Sequence, residues 1–250
     1  MIISLRDHTI MVTGGAVRVG RAIALACAEA GANVAITYNH SQDEAQATVE
    51  ELQRLAPERK FAALPVDVAA AADVDRLAQG VQQTFGKVTA LVNNAAIFRR
   101  TPFAQMTEAD FDDHINANLK GPYLLCKRFG DMFLEQGTGT IVNIADIYGL
   151  QPLKNYIPYC ISKAGIVMLT ESLALALAPT VRVNCICPGT ILLPSQTQGE
   201  NDDEATLKRR IPAGRLGTPE EIAATVVFLI GGPTFITGAV LPVDGAQHLR

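Results

Sequence analysis

Short apolar runs alternate with longer amphipathic stretches along the whole chain, a pattern typical of βαβ units around a parallel sheet. Strands that are buried on both faces of such a sheet are rich in β-branched and other apolar residues. Seven segments fit this description and are predicted as strands: Thr9–Thr13, Asn33–Thr37, Phe61–Val66, Ala90–Val92, Thr140–Ile144, Val181–Ile186 and Ala239–Val243. The pattern therefore predicts an α/β chain with one doubly wound, parallel, seven-stranded sheet and helices on both faces.

Helix boundary signals lie between the predicted strands. Ser41 and Thr218 each precede a glutamate by three residues, which is the spacing of a capping box at a helix N-terminus. Pro219 stands where the first residue of a helix tolerates proline, and Gly31 is placed to end the first helix.

The chain shows no linker rich in proline or serine, so we expect residues 1–250 to form a single domain. The least regular segment is Thr190–Pro212, which carries an acidic run and then Lys208, Arg209 and Arg210. Such a charge pattern is typical of the solvated face of a short helix. A loop of this length in a compact domain also fits a lid over a substrate site at about 190–212, and both interpretations stay open.

One segment is long enough on residue count to cross a membrane, the charge-free run Ile222–Val243 of 22 residues. Gly231, Gly232 and Pro233 interrupt it, so we expect a short helix, a turn and a strand instead of a membrane span. The apolar stretch at Ile2 and Ile3 is far too short for an export signal.

Composition narrows the function classes. The chain has 48% hydrophobic and 18% charged residues and a net charge of −4, which leaves no basic surface for nucleic acid or anionic lipid. Its five cysteines are an odd number without metal-ligand spacing, so we expect no metal site and no disulfide framework. They are predicted to be reduced and buried in a cytoplasmic protein: Cys27, Cys126, Cys160, Cys185 and Cys187.

The glycine-containing segment Thr13–Gly20 directly follows the first predicted strand and opens the first helix. A helix N-terminus carries unpaired N–H groups and partial positive charge, so a turn at Gly14 that admits a pyrophosphate is an anion site. A tight turn that needs glycine only for its backbone is the alternative. Arg18 stands where a further glycine would be expected, and its fixed charge and fork geometry favour a phosphate contact over a solvent-exposed position.

The end of the second predicted strand carries Asn39, His40 and Ser41, with no carboxylate before Asp43. A carboxylate there would bind the ribose 2′-hydroxyl of NAD and repel the 2′-phosphate of NADP. Its absence, with Arg18 nearby, favours NADPH. Ser41 is also suited to cap the next helix, and the two roles are compatible.

Tyr159 and Lys163 are spaced i and i+4, on one face of a predicted helix that runs to about Ala178. An ammonium group near a phenol favours the phenolate, so we expect Lys163 to lower the pKa of Tyr159 toward a range useful for proton transfer.

The order of these motifs resembles the short-chain dehydrogenase/reductase family over essentially the whole chain. The matching segments are Thr13–Gly20, Asp67-Val68, Asn93-Asn94-Ala95, Asn118, Tyr159 with Lys163, Pro188-Gly189, and Ile236–Gly238 with Val243–Gly245. The resemblance implies a Rossmann sheet, Tyr159 as proton donor, Lys163 as its pKa tuner and nicotinamide-ribose anchor, and Asn118 as a helix-kink residue that holds a relay water. It implies cofactor contacts at Gly14, Arg18, Val19, Asn39, His40, Ser41, Asp67, Val68, Asn94, Ala95, Tyr159, Lys163, Pro188 and Gly189.

Asp146 stands 13 residues before Tyr159, where the family usually has a serine that hydrogen-bonds the substrate oxygen. An ionised carboxylate cannot donate to a carbonyl oxygen and would repel its developing negative charge. It can accept from ring N–H groups and help to protonate an imine nitrogen, which favours reduction of a C=N bond or a conjugated heterocycle.

Arg18 together with Asp146 resembles one branch of the family, the pteridine reductases. The segment NNAAIF, which ends at Phe98, is similar to the NNASSF of that branch. The resemblance implies that Phe98 stacks on the pterin and that Arg18 reaches both phosphate and substrate. The chain departs from the branch at His40, where an arginine would grip the 2′-phosphate, and at Ala96, which replaces a substrate-contacting serine.

We therefore expect an NADPH-dependent reductase of a pteridine: a dihydropterin, a quinonoid dihydropterin or dihydrofolate. Hydride would pass to a pterin ring carbon, and the proton would come from Asp146 or from Tyr159 through water. A general carbonyl reductase acting on 3-oxoacyl thioesters or sugars is the alternative, and a non-catalytic NADP-binding protein is a further one. The apolar helices expected at roughly 110–133 and 159–178 resemble the four-helix interface of the family and imply a homotetramer, in which Arg250 would approach a neighbour's active site.

Overall fold

The computed structural model describes residues 3–192 and 204–250, and within them it contains one parallel sheet of seven strands. The strands are β1 (Thr9–Val12), β2 (Asn33–Tyr38), β3 (Phe61–Pro65), β4 (Ala90–Asn93), β5 (Gly139–Ile144), β6 (Val181–Pro188) and β7 (Val240–Val243). Their order across the sheet is β3-β2-β1-β4-β5-β6-β7, with β3 and β7 at the edges. The predicted fold class is confirmed, and the predicted strand ends differ from the observed ones by one or two residues.

Helices cover both faces of the sheet. They are α1 (Arg18–Glu29), α2 (Gln42–Leu55), α3 (Ala71–Phe85), α4 (Glu108–Ile115), α5 (Gly121–Gln136), α6 (Ile157–Leu177), α7 (Glu204–Arg210) and α8 (Pro219–Gly231). One apolar core joins α1, α2 and α8 to the sheet, and a second joins α3, α5 and α6 to the opposite face. Successive side chains of a strand point to opposite faces, so Ile10 and Val12 lie in the first core and Met11 in the second.

The prediction of a single helix at about 110–133 is wrong, because this segment contains two helices. A π-helical turn at Asn116–Lys120 separates α4 from α5, and the N–H of Gly121 bonds back to the carbonyl of Asn116. Pro122 has no N–H to give to the carbonyl of Asn118 four residues earlier, which interrupts the regular hydrogen-bond ladder at this point.

The two predicted capping boxes have different outcomes. At α8 the Thr218 side chain accepts from the N–H of Glu221, and Glu221 binds the N–H of Thr218 in return, as predicted. Ser41 precedes α2 but makes no side-chain cap hydrogen bond, so that prediction is wrong. Its backbone (φ −96°, ψ 60°) is not in the extended conformation that directs a cap side chain toward the helix N–H groups, whereas Thr218 (φ −120°, ψ 154°) is. Gly31 follows α1 with φ +97°, as expected of a residue that ends a helix.

The charge-free run divides as predicted into the end of α8, a turn and the edge strand β7. Within the described residues one helix, α6, is long and apolar enough to cross a membrane by length and composition alone. The middle of the predicted lid, residues 193–203, lies outside the described residues. The part from Glu204 onward forms the short helix α7, where Glu204 pairs with Lys208 at 2.6 Å, in line with the solvated-helix interpretation.

All five cysteines are free, as expected. The expectation that all of them are buried is wrong for Cys160, which is half-buried on the first turns of α6. The other four lie in the apolar cores.

Candidate active site

The predicted functional residues lie along the side of the sheet that is formed by the carboxyl ends of its strands. Parallel strands end at the same edge, and ligands of open α/β sheets bind in the crevice outside those carboxyl ends. The segments that follow β1 to β6 contain the predicted residues: Gly14, Arg18 and Val19; Asn39, His40 and Ser41; Asp67 and Val68; Asn94 and Ala95; Asp146; Gly189. Pro188 is the last residue of β6, and the N–H of Gly189 bonds to the carbonyl of Val243.

The glycine turn after β1 packs tightly against the segment after β4. Gly14 has φ +62°, and a Cβ there would lie 3.1 Å from the Cα of Ala95. A Cβ on Gly20 would lie 2.1 Å from the carbonyl oxygen of Gly14, so only glycine fits at this position. The Asn94 side chain donates to the carbonyls of Thr13 and Gly14 at 2.9 and 3.2 Å and fixes the turn. The strand order reverses between β1 and β4, and the turn therefore stands at the switch point of the sheet.

The residues at this turn fit the phosphates of a dinucleotide. Helix α1 begins at Arg18 with no side-chain cap and no acidic residue in its first turn, so its first N–H groups face the crevice without a capping side chain. Arg18 adds a guanidinium at the same point and has the unusual backbone angle φ +52°. Asn39 and His40 are exposed beyond β2, and the Ser41 hydroxyl is not used as a helix cap.

Asp67 and Val68 have structural contacts at the end of β3. Asp67 Oδ1 accepts from the N–H of Ala69 at 3.0 Å, and Val68 packs so closely on Gly121 that a Cβ there would lie 2.8 Å from its Cγ2. This close approach joins the end of β3 to the start of α5. Both residues therefore form part of the wall of the crevice.

Asp146 and Tyr159 form the central pair of the site. The Tyr159 hydroxyl donates to Asp146 Oδ2 at 2.6 Å, and the N–H of Tyr148 donates to Asp146 Oδ1 at 2.8 Å. The carboxyl group follows β5 and caps the short turn Ile147–Gly149, while Tyr159 lies in the first turn of α6. Tyr159 is buried, with 5% of its surface exposed.

Burial and mutual contact change the pKa values of this pair. Burial raises the pKa of Asp146, and its contacts with Tyr159, the Tyr148 N–H and Lys163 lower it by less. Burial, and then the charge and hydrogen bond of Asp146, raise the pKa of Tyr159 well above its usual range. The expectation that Lys163 lowers the pKa of Tyr159 is therefore wrong for this arrangement.

The position of Lys163 explains why it does not lower the pKa of Tyr159. Its Nζ donates to the carbonyl of Ile144 at 2.9 Å and lies 5.8 Å from the centroid of the Tyr159 ring, over the ring and not beside the hydroxyl. Burial lowers the pKa of Lys163, whereas the charge of Asp146 raises it. The structure thus brings the predicted triad together, but the hydroxyl of Tyr159 faces the carboxyl group.

Asn118 lies within the π-helical turn and ties two segments of the site together. Its side chain donates to the carbonyl of Ile97 at 2.9 Å and accepts from the N–H of Ile97 at 2.7 Å. It also donates to Ser162 Oγ at 3.2 Å, and that hydroxyl donates to the Tyr159 carbonyl at 2.7 Å. Asn118 therefore fixes the segment that carries Phe98 relative to the turn of α6 that carries Tyr159.

Phe98 lies at the mouth of the site with 43% of its surface exposed. Its ring stacks on Tyr156 at 4.5 Å between centroids and 11° between planes, and meets Tyr159 edge-on at 4.7 Å. Tyr156 was not predicted as a site residue, although the sequence shows this second tyrosine three positions before Tyr159. The two stacked rings form a flat apolar wall beside the carboxyl group.

His114 is a second residue that the sequence analysis missed. It is fully buried on α4, its Nδ1 bonds to the carbonyl of Asp110 at 2.7 Å, and its ring lies 6.4 Å from that of Tyr159. Its Nε2 is buried without a hydrogen-bond partner among the described residues. A lone histidine in an acidic helix gives no sequence signal for such a position.

Comparison with known proteins identifies the family. The sequence profile of the enoyl-(acyl carrier protein) reductase family matches residues 15–248. The chain is 34% identical to the 3-oxoacyl-[acyl-carrier-protein] reductase FabG of Staphylococcus epidermidis over 245 residues, covering 97% of this chain and 100% of that protein. It is also 34% identical to the L-rhamnose 1-dehydrogenase (NAD(P)(+)) of a Sphingomonas species over 251 residues, or 98% of each chain.

A solved structure agrees with this result. A variant of actinorhodin polyketide ketoreductase, solved with NADPH, superimposes with a TM-score of 0.90 at 28% identity over 99% of this chain and 100% of that one. With the sheet order, the glycine turn and the Tyr159/Lys163 pair at the carboxyl edge of the strands, these matches show that the chain belongs to the short-chain dehydrogenase/reductase family of NAD(P)-dependent oxidoreductases.

Proposed function

We propose that the protein is an NADPH-dependent reductase of a planar conjugated heterocycle of the pteridine class: a dihydropterin, a quinonoid dihydropterin or dihydrofolate. The observation that carries the proposal is the Asp146–Tyr159 pair, in which a carboxyl group of raised pKa accepts the tyrosine hydroxyl at 2.6 Å. The names of the relatives reported above favour carbonyl reduction instead, and that activity is therefore kept as a second candidate.

The chemistry of the pair suits a ring nitrogen. The bound cofactor supplies hydride to a ring carbon, and the adjacent nitrogen of the reduced C=N bond then needs a proton. Asp146 with a raised pKa holds a proton nearer to neutral pH than an ordinary aspartate and can deliver it to that nitrogen. The Tyr159 hydroxyl, which already donates to Asp146, stabilises the carboxylate that is left after this transfer.

The same pair is poorly suited to a carbonyl oxygen when Asp146 is ionised. Tyr159 gives its only O–H to Asp146, and the carboxylate would repel the negative charge that develops on a reduced carbonyl oxygen. A hydroxyl at position 146 would instead leave two donors for that oxygen. The stacked rings of Phe98 and Tyr156 add a flat wall, and such a wall favours a planar substrate.

The proposed preference for NADPH over NADH depends on the charges of the residues expected near the 2′-phosphate. The end of β2 offers Asn39, His40 and Ser41 with no carboxylate to repel a 2′-phosphate, and Arg18 stands at the start of α1. In this assignment Lys163 holds the nicotinamide ribose. The buried Tyr159–Asp146 hydrogen bond would have no use in a protein that only binds NADP, which argues against the non-catalytic alternative.

The second candidate is a carbonyl reductase that acts on a 3-oxoacyl thioester or a sugar. It is supported by the relatives named 3-oxoacyl reductase, rhamnose dehydrogenase and polyketide ketoreductase. In that case Asp146 would act in its protonated form as a donor.

Initial rates separate the two candidates. NADPH and NADH are compared on dihydrobiopterin, dihydrofolate, a 3-oxoacyl thioester, a sugar and simple ketones, first with the wild-type protein and then with Asp146→Ser. We expect pterin-dependent NADPH oxidation that the substitution abolishes, with ketone reduction unchanged or increased. Asp7→Ser, at an exposed position in the turn before β1, is the matched control. Good carbonyl reduction without pterin turnover would establish the second candidate, and pterin turnover retained in Asp146→Ser would exclude the role given to the carboxyl group.

We further propose a homotetramer in the cytoplasm. Several large apolar side chains lie on the outer faces of α5 and α6, including Tyr123 and Leu134 on the first and Met168 and Leu175 on the second, the last with 85% of its surface exposed. Contiguous exposed apolar surface of this kind is typical of protein interfaces. Light scattering tests the tetramer, and a monomeric mass would reject it.

A further inference from the structure

A cavity of about 330 Å³ is lined in part by Tyr148, two residues after Asp146, and has no role in the function proposed so far. Its volume is in the range of sites for small ligands, which is about 300–1,000 Å³. The residues that line it are Tyr148, Gln151, Arg209, Arg210, Gln247 and Arg250. Three of these six are arginines, and none of the six is an aspartate or a glutamate.

The three guanidinium groups come from two separate segments. Arg209 and Arg210 end helix α7, and Arg250 follows the short turn Gln247–Leu249. Arg250 donates to the carbonyl of Arg209 at 3.1 Å, which holds the two segments together at the cavity. Bringing positive charges together costs free energy, and an anion between them would offset that cost.

Among the described residues, two acidic groups lie on the segments that form the cavity, and both have other partners. Glu204 on α7 pairs with Lys208 at 2.6 Å. Asp244 accepts from the N–H of Ala246 and from the N–H and Nδ1 of His248. Neither carboxylate lines the cavity, so an anion that enters it from outside meets the arginines first.

The cavity is connected to the candidate active site on two sides. The N–H of Tyr148 donates to Asp146, and the phenol of Tyr148 is near enough to Tyr159 to contribute to its raised pKa. Gln247 bonds twice to Thr190, at 3.0 and 3.1 Å, directly after Pro188-Gly189. A substrate that reaches Asp146 with its ring can therefore extend its other end past Tyr148 toward the arginines.

We infer that this arginine cavity binds an anionic group, a carboxylate or a phosphate, at the end of the substrate away from the reacting ring. The inference rests on the proposed function for the identity of the ring, and it adds the charge of the substrate. Guanidinium groups pair with carboxylates and phosphates through two parallel hydrogen bonds, so a negatively charged substrate is selected over a neutral one with the same ring.

Two substrates with the same ring test the inference. Dihydrofolate carries a glutamate with two carboxylates, whereas dihydrobiopterin carries a short uncharged side chain. We expect Arg210→Gln and Arg250→Gln each to raise KM for dihydrofolate by about tenfold, the effect of losing one charge-assisted contact. KM for dihydrobiopterin and for NADPH should change by less than about twofold. Lys208→Gln removes one positive charge from the same helix outside the cavity and is the matched control.

Equal changes for both substrates, or no change for dihydrofolate, would overturn the inference. If the protein reduces carbonyls instead of pterins, the same variants are compared on a 3-oxoacyl-coenzyme A, which carries phosphates, and on its uncharged N-acetylcysteamine thioester. Failure of the proposed function and failure of the arginine cavity are therefore seen in different measurements.

Direct binding distinguishes an anion that belongs to the substrate from a free anion. The wild-type chain with NADP⁺ is titrated by calorimetry with p-aminobenzoylglutamate and, separately, with inorganic phosphate. We expect p-aminobenzoylglutamate to bind more tightly than phosphate, and its binding to be lost in Arg250→Gln and kept in Lys208→Gln. Equal affinity for phosphate, or no binding of p-aminobenzoylglutamate, would contradict a site for an anionic end of the substrate.

Discussion

Replacing Asp146 by asparagine removes a negative charge from beside Tyr159 and keeps the size of the side chain. Burial, the charge of Asp146 and its hydrogen bond at 2.6 Å all hold the pKa of Tyr159 above its usual range. The substitution leaves burial unchanged and removes the charge. We therefore expect Asp146→Asn to lower the pKa of Tyr159.

The size of the effect follows from the distance between the two oxygens. Ionising Tyr159 beside an ionised Asp146 sets two negative charges 2.6 Å apart. This costs about 1.6 kcal/mol at the dielectric constant of water and about 6 kcal/mol at an effective constant near 20. Since about 1.4 kcal/mol is a factor of ten in an equilibrium, the phenolate fraction at a given alkaline pH should rise about tenfold or more.

The assay is an alkaline titration of tyrosinate absorbance. The signal of Tyr159 is the difference between each protein and the same protein with Tyr159→Phe. Asp7→Asn is the control, because Asp7 is exposed in the turn before β1, at the opposite end of the strands, and its loss should leave Tyr159 unchanged. A Tyr159 titration that is the same in Asp146→Asn and in the wild type would refute the coupling and leave burial as the main cause of the raised pKa.

Four further substitutions, and Asp146→Asn again, test stability. Thr218→Ala removes a capping hydrogen bond and should cost about 1 kcal/mol in urea unfolding, whereas Ser41→Ala should cost almost nothing because Ser41 does not cap α2. Gly20→Ala places a Cβ 2.1 Å from the Gly14 carbonyl oxygen and should destabilise by about 1–3 kcal/mol, while Gly80→Ala, whose Cβ meets nothing within 3.7 Å inside α3, should stabilise by about 0.5–1 kcal/mol. Because the folded state raises the pKa of Asp146, it binds that proton more tightly than the unfolded state, so stability falls as pH rises from the ordinary pKa through the raised one. Asp146→Asn should remove this slope from Tm measured against pH, and an unchanged slope would contradict it.

The fold was predictable because its signals are local and repeated. Each strand is a short apolar run, and consecutive strands are joined through helices. The pattern alone therefore predicts the parallel sheet. The interrupted helix at 116–120 was not predictable from the pattern in the same way, because residues on both sides of the interruption continue a helical pattern. The family resemblance implied a kink at Asn118, and Pro122 lies next to it, although a proline in the first turn of a helix does not ordinarily signal a break before it.

The site was predictable as a set of residues but not as a set of contacts. The sequence placed Asp146, Tyr159 and Lys163 together through the ends of β5 and α6. It did not show which way the Tyr159 hydroxyl points, and the expected phenol–ammonium contact is replaced by the hydrogen bond to Asp146. The arginine cavity was also not predictable, because Arg209 and Arg250 are far apart in sequence and meet only in the folded chain.

The carboxyl group at position 146 changes the direction of the hydrogen bonds in the pair. A serine and a tyrosine would both have an O–H for a substrate oxygen, whereas here the tyrosine donates to the carboxyl group and only a protonated Asp146 has an O–H left to give. Burial raises the pKa of Asp146 and so keeps that proton available at a higher pH, while Lys163 acts in the opposite direction. Because burial is the largest of these effects, their net result is a raised pKa for Asp146. A reaction that depends on this pair should therefore consume a proton from Asp146, and this requirement fits a nitrogen that becomes basic on reduction better than an oxygen that needs two donors.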